Sequence, residues 1–137
     1  MRRREEARFE REVLAHVGGR PDVALFKNEV GQGYYGAVKP VLLAALAPFG
    51  AVVQGVAEDV LIRHRVTYGL HVGSSDLIGV VGPLGRLVAI ELKSATGVLA
   101  PDQHNFIARM RALGAVAGEA RTLGDVERLL ASAGGGS

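Results

Sequence analysis

Two short apolar runs, Leu77–Val81 and Leu87–Ile90, flank a Gly/Pro break at Gly82, Pro83 and Gly85. Apolar runs of this length around a Gly-containing turn predict a β-hairpin. Side chains alternate faces along a strand, so Glu91 and Lys93 take one side and Ile90 and Leu92 the other. Asp76 opens the first run, and the hairpin returns Glu91 close to it. The pattern therefore predicts two carboxylates and an ammonium at one end of an otherwise apolar sheet.

The rest of the chain supplies layers for such a sheet. Phe9, Val13, His16 and Val17 recur at helical spacing, which predicts an amphipathic helix over 3–17 that Gly18 and Gly19 stop. Residues 21–30 read as a turn and then a strand, with Val23, Leu25 and Phe26 as core positions. Residues 38–50 read as a short apolar helix broken at Pro48. Residues 51–57 and 60–68 read as two strands about a Glu58-Asp59 turn. Pro101, at a helix N1 position, opens a helix to about Leu113 that buries Phe106, Ile107, Met110 and Leu113, and Gly114 ends it. A strand over 115–121 and a helix over 123–133, with Val126, Leu129 and Leu130 inward, complete the order. This succession predicts an α/β fold, a central mixed sheet flanked by helices, in one domain over 1–133. Residues 134–137 have the Gly/Ser composition of a flexible tail.

Composition narrows the picture. Hydrophobic residues make up 48% and charged residues 22% of the 137, which suits a folded globule. No apolar run approaches the ~20 residues of a membrane span, and the charged N-terminus lacks a signal-peptide pattern. The absence of cysteine excludes disulfides and thiolate metal sites and accords with a cytoplasmic location. His16, His64, His71 and His104 show no zinc-ligand spacing. The net charge is only +2, but Arg supplies 13 of the 16 basic residues, and its planar fork suits phosphates.

A Glu-x-Lys on a strand is often a solvated pair worth under about 1 kcal/mol. Here residues 87–92 are apolar except for Glu91, as in a buried strand, and buried charges are rare unless paired or metal-bound. Phosphodiester hydrolysis needs charge neutralised at phosphate and a water made nucleophilic near neutral pH. A hard divalent cation does both, held by one or two carboxylates with water or phosphate oxygens filling the remainder. Asp76 and Glu91 are the candidate carboxylates and the Leu92 carbonyl a third oxygen. Lys93 would act at the phosphate or on the attacking water, and Gln103, in the first turn of the next helix, would orient that water or Lys93.

The segments Gly73–Gly79 (GSSDLIG), Glu91-Leu92-Lys93 and Pro101-Asp102-Gln103 together resemble the PD-(D/E)XK nuclease superfamily, and within it the small stand-alone VRR-NUC domains. The likeness runs from Tyr68 to about Leu130, with Ser75 standing where the superfamily's name has proline. It implies a restriction-endonuclease-like core, Mg²⁺ or Mn²⁺ on Asp76, Glu91 and the Leu92 carbonyl, and catalytic roles for Lys93 and Gln103. Many such enzymes add a metal-facing Glu from the first helix, here Glu6 or, second, Glu10. Lys27-Asn28 resembles a basic-Asn step of VRR-NUC domains. With Tyr34, Tyr35, Ser74, Ser75 and Ser94 these form the candidate DNA contacts. The resemblance further implies a homodimer that cuts branched DNA such as Holliday junctions, and the apolar stretch 38–53 is a candidate interface. Alternatives are a less selective flap or duplex nuclease, and a nucleic-acid-binding module without catalysis. Gly31, Gly33 and Gly36 spell a G-x-G-x-x-G, but a dinucleotide fingerprint needs those glycines to open a helix in a βαβ unit, and Pro40 follows too closely. A Tyr-bearing loop stacking on bases fits better.

Overall fold

The computed structural model describes residues 2–33, 38–63 and 65–134. Tyr34, Tyr35, His64 and residues 135–137 of the expected tail lie outside them. The chain divides into two compact units, Met1–Glu29 with Leu70–Ser137, and Val30–Gly69.

In the first unit, four strands form one mixed sheet: β1 (Val23–Lys27), β4 (Leu77–Val81), β5 (Arg86–Leu92) and β6 (Val116–Ala120), in the order β1-β4-β5-β6. The expected hairpin is β4–β5. Its antiparallel register runs from Val81↔Arg86 to Leu77↔Ile90, and Gly85 in the turn has φ of 68°, a left-handed value that glycine takes without a Cβ penalty. Strand β1 joins β4 antiparallel and β6 joins β5 parallel. The parallel step is made by helix α4 (Pro101–Ala112), which crosses between β5 and β6.

The pleat sorts the core into two layers. Leu77, Val88, Ile90 and Leu92 lie in one cluster with Val13 and Val17 of helix α1 (Arg2–Val17) and Val126 and Leu130 of helix α5 (Leu123–Gly134). Ala89 and Ala117, on the other face, pack with Ile107 of α4, against which Ile78, Phe106 and Met110 also rest. The sheet is thus covered on both faces, as its apolar central strands require. Glu91 shares the parity of Ala89 and so belongs to the α4 face.

Several expectations need correction here. His16 is exposed rather than part of the buried stripe, and its Nε2 lies 2.8 Å from Glu127 Oε1 at the rim. Leu14 packs against the core instead. Phe26 and Leu113 are also exposed. Phe26 lies in an edge strand, where only one side has a neighbour, and Leu113 is already past the last turn of α4, beside Gly114 with φ of 90°.

The second unit contains β2 (Gly31–Gly33) paired antiparallel with β3 (Val66–Tyr68), helix α2 (Val38–Leu46), a 3₁₀ turn (Ala47–Phe49) and helix α3 (Ala51–Arg63). The two strands expected over 51–68 are therefore wrong for most of that span. Gln54, Ala57, Glu58 and Leu61 are its half-buried positions, at i, i+3, i+4 and i+7. That helical repeat outweighs the β preference of the valines, which is a weak, context-dependent signal. Gly31 and Gly33 lie in an antiparallel ladder and do not open a helix, which removes the structural premise of a dinucleotide loop.

Candidate active site

Strand register alone brings the two acids together. Extending the β4–β5 pairing by one residue beyond Leu77↔Ile90 sets Asp76 opposite Glu91. The β1–β4 ladder also runs on, with the Asn28 amide donating to the Asp76 carbonyl at 2.7 Å. Asp76 is fixed a second time by its side chain, whose Oδ2 accepts the Leu92 N–H at 2.8 Å.

Glu91 is 1% exposed. Its Oε1 accepts Lys93 Nζ at 2.8 Å and the side-chain amide of Gln103, while Oε2 is buried with no hydrogen-bond partner. Gln103 is held from its other end, since its Oε1 accepts the Ala100 N–H at 2.9 Å. One side chain thereby caps the N-terminus of α4 and aims an amide at Glu91.

These groups line a cleft of about 500 Å³ together with Leu92 and, from α1, Arg3, Glu6 and Glu10. Both candidate helix-1 acids thus reach the cleft. Glu6 Oε1 accepts the Ser94 N–H at 3.3 Å, and Glu10 Oε1 lies 3.1 Å from Lys27 Nζ. Lys27 also pairs with Glu29 at 2.6 Å, and these two carboxylates, Glu29 foremost, raise its pKa. Arg3 also lines this cleft and is not among the residues expected at the site. Its spacing of three from Glu6 and seven from Glu10 puts all three on one helical face, a signal available without the structure. A neighbouring cleft of about 660 Å³, lined by Arg8, Ser94 and Arg121 among others, shares Lys93 but not the carboxylate pair.

The remaining expected contacts divide by burial. Ser74 and Ser75 are buried. Asn28 Nδ2 donates to Ser74 Oγ at 2.8 Å and to the Ser75 carbonyl at 2.9 Å, and Ser74 Oγ donates to the His71 carbonyl at 2.7 Å. This network braces the approach to Asp76. The hydroxyls of Ser75 and Ser94 are buried without a partner.

Burial dominates the electrostatics. It raises the pKa of Glu91 from 4.5 to about 7, helped by the Asp76 charge and opposed by Lys93. Burial likewise raises that of Asp76, against the pull of the Leu92 amide and Lys93, with Glu10 and Glu6 adding to the rise. Two acids placed where their charges are penalised are what an oxygen-seeking cation would relieve. The orphaned Glu91 Oε2 is a vacant acceptor of the right kind. Among the described residues no group of three or more His, Cys, Asp or Glu side chains is arranged to hold a metal ion. Two carboxylates, one with an unpartnered oxygen, are hard donors of the kind Mg²⁺ takes in small number beside water or phosphate, and the residues lining the cleft include no Cys or His of the kind zinc prefers.

Comparison of the chain with known protein families, with curated proteins and with solved structures finds no match. No helix among the described residues is long and apolar enough to cross a membrane.

Proposed function

We propose that the chain is a divalent-cation-dependent DNA endonuclease, acting on branched DNA. The observation that supports this most is the juxtaposition of Asp76 and Glu91 across the β4–β5 register, with Lys93 on Glu91. A pure binding surface gains nothing from two carboxylates set where a phosphate must approach.

In this reading Asp76, Glu91 and the Leu92 carbonyl would hold Mg²⁺ or Mn²⁺, with Glu6 or Glu10 as a further ligand. When bound, such a cation would neutralise phosphate charge and lower the pKa of a water. Lys93 sets its ammonium beside the scissile phosphate, where negative charge builds up. Gln103, pinned between Ala100 and Glu91, fixes Glu91 and through it Lys93. Lys27 and Arg3 extend the cationic rim along which a strand would lie. Cutting two symmetric strands of a junction takes two copies of the site.

A second reading, a nucleic-acid-binding module without catalysis, draws on one observation: Glu91 Oε1 is already engaged by both Lys93 and Gln103. The two readings part on a panel of labelled substrates, a four-way junction beside flap, linear duplex and single strand, each with Mg²⁺ or Mn²⁺. Paired nicks on the junction support the proposal. Equal cutting of every substrate keeps the nuclease and removes its structural selectivity. Tight binding without any cut supports the module.

A further inference from the structure

The cleft that adjoins the carboxylate pair has the size of a small-ligand site, about 660 Å³, and Lys93 is common to both. Helix α1 supplies one wall from a single helical face, with Glu5, Arg8, Phe9 and Glu12 spaced i, i+3, i+4 and i+7. Ser94 and Ala95, where the chain leaves β5, continue the wall from Lys93, and Leu123 closes the cleft at the start of α5.

These walls are held from behind. Phe9 and Leu123 pack against the main core. The Arg121 guanidinium donates to the carbonyls of Ser94 at 2.5 Å, Ala95 at 3.2 Å and Gly97 at 2.7 Å, and Glu6 Oε1 accepts the Ser94 N–H. The segment after Lys93 is thus tied down through its backbone, and the cleft is pre-formed. Its charges argue against phosphate as the occupant. Arg121 spends its donors on those carbonyls, and Glu5 and Glu12 set two carboxylates on the rim. A flat, neutral group with donors and acceptors at its edge suits an aromatic ring, aliphatic walls and a rim of mixed sign. A nucleobase is such a group.

We propose that this cleft receives the base of the nucleotide next to the scissile phosphate, turned out of the helical stack while Lys93 holds the phosphate. The inference rests on the nuclease reading and adds a subsite to it. Phe9 offers the base a ring face, and Glu5, Glu12 and Arg8 offer acceptors and a donor to its edge. The subsite also supplies a physical source of preference for branched DNA. Turning a base out of a duplex costs both its stacking and its pairing, and that cost is least where the nucleotide is already unpaired, as beside a branch point.

The test uses four-way junctions that carry a single 2-aminopurine, placed at each nucleotide beside the branch point in turn and bound in Ca²⁺, so that the readout needs no cut. Stacking quenches this base. One position should brighten severalfold on binding, and a 2-aminopurine in the middle of an arm should stay dark. Ala95 is exposed, so Ala95→Leu should fill the cleft without disturbing the core. It should abolish the brightening and weaken junction binding about tenfold, the value of one base–aromatic contact. Phe9→Leu keeps an apolar side chain for the core and should weaken binding to a similar extent. A bound junction with no bright position would overturn the inference and leave the nuclease reading standing. Brightening that survives both variants, or that is equal in the middle of an arm, would do the same. A chain that binds no DNA would overturn both.

Discussion

The Leu92 amide donates to Asp76 Oδ2 at 2.8 Å, so the first acid of the site is also the hydrogen-bond terminus of the strand that carries the second. Structure and chemistry at Asp76 are therefore separable by substitution. Asp76→Asn keeps an acceptor for Leu92 and should retain stability to within about 1 kcal/mol, whereas Asp76→Ala strands a buried N–H and should lose about 1–3 kcal/mol. Both should abolish cleavage. Urea unfolding beside a cleavage assay separates the two effects.

Glu91 gives a pH signature in the metal-free protein. Its carboxyl titrates near 7 when folded and near 4.5 when unfolded. Between those values the folded chain holds a proton that the unfolded chain has released, so stability falls as pH rises through this window. The difference amounts to roughly 3 kcal/mol. Glu91→Gln should flatten that slope by about this amount, measured by urea unfolding in EDTA at pH 5 and pH 8. An identical slope in variant and wild type would remove burial as the cause.

Gln103 joins α4 to the site through two hydrogen bonds, from Ala100 and to Glu91. Gln103→Ala should destabilise the fold by about 1–2 kcal/mol and slow cleavage about tenfold. Gln103→Glu can still accept from Ala100 but sets a carboxylate against Glu91. It should keep the cap while slowing cleavage more than alanine does. Single-turnover rates on both variants check the order.

Gly79 lies opposite Leu25 in the β1–β4 pairing. A Cβ there would collide with the Ala24 carbonyl and would come within 2.9 Å of Leu25 Cα. Gly79→Ala should therefore open the β1–β4 pairing, and with it the placement of Lys27 and Asn28. Hydrogen exchange should show lost protection at residues 23–28 while the β5–β6 pairing keeps its own.

Where the sequence was legible, short-range physics decided the outcome. The β4–β5 hairpin follows from two apolar runs about Gly85, and the approach of Asp76 to Glu91 follows from its register, so the pair could be placed before any coordinates. Helices α1, α4 and α5 followed from apolar spacing and from the Pro and Gly at their ends. Residues 51–63 misled because valines favour strands in isolation, and the i, i+3, i+4, i+7 repeat of half-buried Gln54, Ala57, Glu58 and Leu61 that marks the helix is half polar in type. Phe26 and Leu113 look like core residues by type and His16 by its helical spacing, but their exposure depends on which sheet edge and helix end they occupy, which is tertiary information. Arg3 was legible from its helical spacing to Glu6 and Glu10. The double use of Gln103 was not, because it depends on where α4 begins relative to β5.

The most direct test of the central claim is single-turnover cleavage of a labelled four-way junction by wild type, Asp76→Asn and Lys93→Ala, in Mg²⁺ and in EDTA. The site described here predicts cutting by wild type in Mg²⁺ alone, no cutting by Asp76→Asn, and a rate lower by about 10²–10³ for Lys93→Ala. Binding that survives EDTA and tightens in Asp76→Asn, with no cut by wild type under either condition, would contradict it.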